Sequence, residues 1–181
     1  MLSSPVWRGS PAFAFRVGLL LGGAITATVL VVVGSLARAP LPWWARWALV
    51  GAVLVLVALN ELRVIDVRLP ENRRLVPEGV FRLGRHLGPL QFGIEMGTGA
   101  RTYLPSGLPY IAATAVLLTA SVPQALVAGA AFGFGRALMT TANLNHPGDW
   151  DALWARHARL TAALLSGAFL LSLGTAAVAT A

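Results

Sequence analysis

The chain contains no cysteine and no lysine. Without cysteine there is no disulfide, no thiolate metal site, no thiol redox chemistry and no c-type haem attachment. Carboxylates are scarce as well: 7 Asp and Glu stand against 14 Arg, for a formal charge of +7. Only 12% of the 181 residues are charged, where a water-soluble domain carries about 25%. That shortfall excludes an ordinary soluble domain. What fills the chain instead is apolar: 56% hydrophobic residues and a mean hydropathy of +0.70. The length allows one compact domain, read here as a single integral membrane domain over residues 1–181. Arg to the exclusion of Lys, with heavy use of Ala, Gly, Leu and Val, fits a GC-rich bacterial genome, so the expected location is a bacterial inner membrane.

An isoelectric point near 11.6 in a soluble protein would suggest nucleic acid. Here most Arg flank apolar runs, where they set orientation and meet anionic lipid headgroups. The bilayer is therefore the expected partner, and nucleic acid is not.

The first run, 17–37, has 21 residues and would cover about 31 Å, the thickness of the hydrocarbon. It is too long for a typical signal-peptide core, although Ser35-Leu36-Ala37 has the form of a cleavage site. Gly18, Gly22 and Gly23 mark a close-packing face on it. A second span is expected over 44–62, entered through the interfacial aromatics Trp43, Trp44 and Trp47. The loop 63–85 carries six Arg against Asp66, Glu71 and Glu78, and Pro70 and Pro77 break it. By the positive-inside rule it is cytoplasmic, and so is the N-terminus two spans upstream.

Residues 86–103 are moderately apolar but contain Glu95, Arg101 and four glycines, the pattern of a re-entrant or broken helix shielded by protein. The next 34 residues, 102–135, carry no charge, and Pro123 divides the region into spans over about 108–121 and 124–141. Ala125, Gly129 and Gly133 give the latter a small-residue face. Over 149–159, Trp150, Leu153, Trp154 and His157 repeat as on an interfacial amphipathic helix. The last span is 160–181. The fold expected is an all-α polytopic helical bundle: five spans plus the re-entrant or broken helix, or six if 86–103 crosses.

Three features could carry chemistry. Glu95 and Arg101 are six positions apart, so they meet only if the chain bends at Gly97 or Gly99. Ionisable residues at membrane depth are costly and mark functional sites or paired structural ones. Arg136 either snorkels to the cytoplasmic face or turns inward to pair with Glu95 or bind an anion. His86, His146 and His157 sit at segment ends in no metal-ligand spacing. Neither Gly-x-Gly stretch has the context of a phosphate or dinucleotide loop. No catalytic residue, metal or cofactor is expected.

The stretch 97–110, GTGARTYLPSGLPY, has a Gly-rich entry followed by Pro105-Ser106-Gly107-Leu108-Pro109. It resembles the Gly-rich, Pro-Cys-x-x-Pro broken helix of the DsbD/CcdA-type thiol–disulfide electron-transfer membrane proteins. The resemblance implies a broken-helix scaffold with Ser106 at the reactive cysteine position. Serine forms no disulfide, so that family's reaction is not available to this chain.

Three functions follow as expectations. The leading one is transport, with Glu95, Arg101, Arg136, Thr102, Tyr103 and Ser106 as the solute or ion site. The backbone at Gly97, Gly99, Pro105 and Pro109 would be exposed to it. The alternative is a non-catalytic accessory or scaffold subunit, with protein partner subunits or a homo-oligomer. A membrane enzyme acting on lipid or quinone is the third, with no constellation of converging groups behind it.

Overall fold

The computed structural model describes residues 9–61, 64–67, 78–99 and 107–145, with further positions at 152, 156, 157, 160, 167, 170–175, 177 and 178. All regular structure among them is helical. The α-helices are α1 (Gly9–Ala37), α2 (Trp43–Glu61), α3 (Leu87–Gly97), α4 (Leu108–Thr119) and α5 (Val122–Asn145), and a 3₁₀ helix spans Glu78–Leu83. Three of these are long and apolar enough to cross a membrane: Gly9–Ala37, Trp43–Asn60 and Val122–Ala142. The chain forms two compact units, Met1–Met139 and Thr140–Ala181. In the second, Leu170, Leu171 and Val178 are exposed apolar residues on helical positions.

α1 has 29 residues, or about 43 Å, and starts earlier than the apolar run suggested. It opens at Gly9 (φ 65°), carries Pro11 in its first turn and absorbs Arg16 into the helix. A hydropathy boundary marks where lipid begins and does not mark where the helix begins. The helix ends on a bond from the Arg38 N–H to the Gly34 carbonyl (2.8 Å), and Pro40 and Pro42 prevent its continuation. At the far end of α2, the Asn60 side chain accepts from the Val67 N–H at 2.8 Å and folds the chain back on the helix terminus.

α1 is the axis of the first unit. Ser10 Oγ and His86 Nε2 share a hydrogen bond of 2.9 Å, Gly18 meets Gly93, Gly22 meets Gly97, and Thr26 reaches Thr98. Positions rise together, so α3 runs parallel to α1 along its first half. Farther along, Ala27 and Val31 pack with Val116 and Ala120, Gly34 lies on Leu117, and Arg38 reaches Ala120. α4 is therefore also parallel to α1, along its second half. α3 and α4 thus pack along successive stretches of α1. With 11 and 12 residues they measure about 17 and 18 Å, each near half the hydrocarbon thickness. The stretch 108–121, expected as a span by itself, is thus too short a helix to be one.

α5 runs the other way. Gly23 meets Gly129, Gly133 lies on Leu19 and Leu20, and Ala137 clusters with Phe15 and Leu19. The helix starts where Pro123 placed it, through a cap: the Gln124 Oε1 accepts from the Ser121 N–H at 2.8 Å and from the Ser121 hydroxyl at 3.0 Å.

Apolar burial drives helix association weakly where lipid is the solvent, so close backbone packing must hold the helices. The glycines supply it. A Cβ on Gly18 would lie 2.9 Å from the Gly93 Cα, and one on Gly97 would lie 2.8 Å from the Leu19 Cα. The Leu19 carbonyl oxygen occupies the space that side chains at both Gly97 and Gly133 would need. The outer faces are left apolar and open: Val29, Val32, Val33 and Leu36 on α1, Val55 and Leu56 on α2, and Val127, Phe134 and Leu138 on α5 are exposed.

Candidate functional site

The polar residues worth attention gather where α3 ends. Gly93 and Gly97 turn one face of α3 onto α1. Phe92 and Met96 turn a second face onto the cluster of Phe15, Leu19 and Ala137, with the Phe15 and Phe92 rings 5.6 Å apart and 29° from parallel. Glu95 lies on the remaining side and is half-buried. One turn before it, Gln91 Nε2 donates to Glu95 Oε1 at 3.2 Å.

The helix stops two residues later for a local reason. Gly99 has φ 73°, the left-handed conformation that ends helices and that residues with a Cβ adopt at a cost. The orphan carbonyls of the last turn are taken up on the spot. The Thr98 N–H donates to the Ile94 carbonyl (3.0 Å), the Gly99 N–H to the Met96 carbonyl (3.3 Å) and the Thr98 hydroxyl to the Glu95 carbonyl (2.7 Å). The Thr98 carbonyl itself accepts from the Thr26 hydroxyl of α1 at 3.1 Å. The bend falls at Gly99, while Gly97 remains helical and serves as packing surface.

Arg136 sits on α5, half-buried, with its guanidinium carbon 5.8 Å from the centroid of the Phe132 ring. That ring in turn lies against Gly99: a Cβ there would be 3.6 Å from its edge. Arg136, Phe132 and the end of α3 thus follow one another in space. The structure brings Gly97 onto Leu19 and Gly99 onto the Phe132 ring that Arg136 overlies, while Glu95 bonds to Gln91 on its own helix. Pro109 stands apart, in the first turn of α4, where its missing N–H costs no helical bond. Arg101, Thr102, Tyr103, Pro105 and Ser106 lie outside the described residues, as does His146. His86 is exposed and bonded to Ser10, and His157 is exposed. Among the described residues no three His, Asp or Glu side chains gather into a metal site.

Two participants were not picked out from sequence. Gln91 precedes Glu95 by four residues, a spacing that puts both on one helix face, so it was readable. Thr26 lies inside an apolar run and nothing in the run marks it as the partner of a carbonyl 72 residues away.

No family model matches the chain, and no solved structure does. Among curated proteins it is similar to the methylamine utilization protein MauF of Paracoccus versutus, 28% identical over 172 residues, which are 92% of this chain and 62% of that protein. It is also similar to the methylamine utilization protein MauF of Methylorubrum extorquens, 26% identical over 174 residues, 92% of this chain and 60% of that protein. The chain thus spans about three fifths of the length of these relatives. They correct the resemblance drawn from 97–110. Fourteen residues around Pro105 and Pro109 suggested DsbD/CcdA-type electron-transfer proteins, whereas similarity over 92% of the chain leads to proteins named for methylamine utilization. A Gly-rich stretch followed by spaced prolines is a general way to interrupt a membrane helix and does not distinguish one family from another.

Proposed function

We propose that the protein is a non-catalytic accessory component, embedded in a bacterial inner membrane, of a system that uses methylamine. The observation that carries this reading is the similarity to two MauF proteins across 92% of the chain. Transport, the reading first drawn from the broken helix, is less well supported. A solute site of that type needs backbone carbonyls left open at the break. Here the Ile94, Glu95, Met96 and Thr98 carbonyls at the end of α3 each accept a bond from within the protein.

In this reading the chain is one membrane domain with five crossings. α1 and α2 are the first two, and α3 and α4 together form the third, interrupted at Gly99. α5 is the fourth and residues 160–181 the fifth. Support comes from the parallel run of α3 and α4 along α1 and the antiparallel run of α5. Charge agrees with it: 63–85, Arg156 and Arg159 fall on the same side as Arg8 and Arg16, and only Arg38 and Arg46 on the other. The N-terminus and the 63–85 loop are then cytoplasmic, 149–159 lies at the cytoplasmic interface against anionic headgroups, and protein partners join from within the membrane or from either face.

The test is genetic. Deleting the gene in its own host should abolish or strongly slow growth with methylamine as the nitrogen source and leave growth on ammonium unchanged. Equal growth on both would overturn the assignment. Purification in mild detergent from methylamine-grown cells should then retain a stoichiometric protein partner.

A further inference from the structure

We infer that the turn joining the 3₁₀ helix to α3, Arg82–Leu87, is an anchor on the membrane surface: together with Phe13 it seats in the headgroup layer of the cytoplasmic leaflet and binds the phosphates of anionic lipid. The inference rests on the membrane placement proposed above and not on the methylamine assignment.

The height of this turn follows from α1. The apolar run 17–37 fills the hydrocarbon, so the first two turns of α1, residues 9–16, stand about 12 Å beyond it. Gly93 meets Gly18 and α3 is parallel to α1, so Leu87, six residues before Gly93, lies level with Ala12 and within about 2 Å of the height of Phe13. That is about 6–7 Å outside the run, in the layer that headgroups occupy. The turn is held at this height. His86 Nε2 shares a hydrogen bond of 2.9 Å with Ser10 Oγ of α1. The Gly88 N–H donates to the Gly84 carbonyl (3.2 Å) and the Leu90 N–H to the His86 carbonyl (3.1 Å), and the 3₁₀ helix packs on α3.

The chemistry of the turn is that of an interfacial anchor. Six consecutive residues, Arg82 to Leu87, are exposed, and burial begins abruptly at Gly88 and Pro89. Leu83 and Leu87 are 55% and 61% exposed, and Phe13 on α1 is 68% exposed. Large apolar side chains without protein cover at headgroup height gain by dipping to the acyl boundary. Beside them Arg82 and Arg85 are exposed and Arg16 is half-buried, and none of the three has a hydrogen bond or ion pair among the described residues. With 7 carboxylates for 14 Arg, the chain leaves guanidinium groups to find anions elsewhere. Lipid phosphates stand at this height, and a long arginine reaches them while its stem covers apolar surface. A soluble acidic protein would satisfy the arginines too, but it would first have to displace headgroups from the leucines.

The chain has no cysteine, so single spin labels report depth directly. F13C, L83C and L87C, each carrying a nitroxide in nanodiscs of phosphatidylglycerol and phosphatidylethanolamine, should be more accessible to oxygen than to a water-soluble nickel chelate. All three positions are exposed, so labelling removes no packing. L36C, at an exposed position within the apolar run of α1, gives the deep reference. Changing the lipid to phosphatidylcholine, or adding R82Q and R85Q to each labelled protein, should shift the labels at 83 and 87 toward water and leave the L36C label in place. The inference is overturned if the nickel chelate reaches L83C and L87C more readily than oxygen, the result of a turn that stands in water and is open to a soluble acidic partner. It is equally overturned if depth is indifferent both to lipid charge and to the two arginines. Depth is read on the purified chain, whichever side faces the cytoplasm and whatever the growth on methylamine, so its failure is distinguishable from failure of the assignments above.

Discussion

At Gly99 the backbone, and not the space, forbids other residues. Its φ of 73° is left-handed, yet a Cβ there would sit 3.6 Å from the Phe132 ring, an ordinary contact. Gly99→Ala should therefore cost about 1–2 kcal/mol through conformation alone. Gly99→Asn should cost less and Gly99→Val more, in the order of left-handed tolerance. Gly97 is the reverse case: its backbone is helical and its space is taken by Leu19. Gly97→Ala should cost more than the ~1–3 kcal/mol of ordinary overpacking, since the obstacle is backbone and cannot rotate away. Gly135 has nothing within 4 Å of a built Cβ, so Gly135→Ala should be neutral or stabilise by up to about 1 kcal/mol. Unfolding temperatures of the three alanine variants in nanodiscs should rank in the order Gly135, Gly99, Gly97, from highest to lowest.

Helices were legible in the sequence where charge and small residues interrupt apolar runs. α2 and α5 fall within a few residues of the runs that predicted them, and the faces of Gly18 and Gly22 and of Gly129 and Gly133 became contacts. What could not be read was that α3 and α4 both pack along α1. Each is short, and hydropathy sums over residues without knowing that two short helices share one neighbour. The Gly93-x-x-x-Gly97 spacing was in view, but only the partner glycines on α1 show that it is a packing face. The ends of elements carry their own test. Arg38 Nη1 donates to the Ala120 carbonyl at 2.6 Å, where α4 stops and the backbone turns extended (φ −77°, ψ 144°). This bond ties the end of α1 to the end of α4 and places a cation at a helix C-terminus. Arg38→Gln should destabilise by about 1–2 kcal/mol. Arg38→Lys should recover part of that, and hydrogen exchange should localise the effect to the last turn of α4.

For the molecule as a whole, sidedness is the decisive observable. The proposed five-crossing topology puts Ala39 outside and Asp66 inside, and a C-terminal tag outside. Single cysteines at Ala39 and Asp66 are on exposed positions of a chain with no cysteine of its own. An impermeant maleimide on intact cells, with the outer membrane opened, should label Ala39→Cys and spare Asp66→Cys. A tag at the C-terminus should be cleaved by external protease. Protection of that tag would overturn the five-crossing topology. The groove of glycines on α1 has a further consequence, for how the chain enters the membrane. An eleven-residue helix bearing Glu95 gains too little from lipid to partition on its own. In the proposed topology its ready-made surface is the Gly18–Gly22 groove, on which Gly93 and Gly97 pack. Insertion by that route requires α1 to stay beside the exit site while α2 and the basic loop are synthesised. Filling the groove should then produce chains with α3 left on the cytoplasmic side and everything after it inverted, a defect of biogenesis that no later partner can repair.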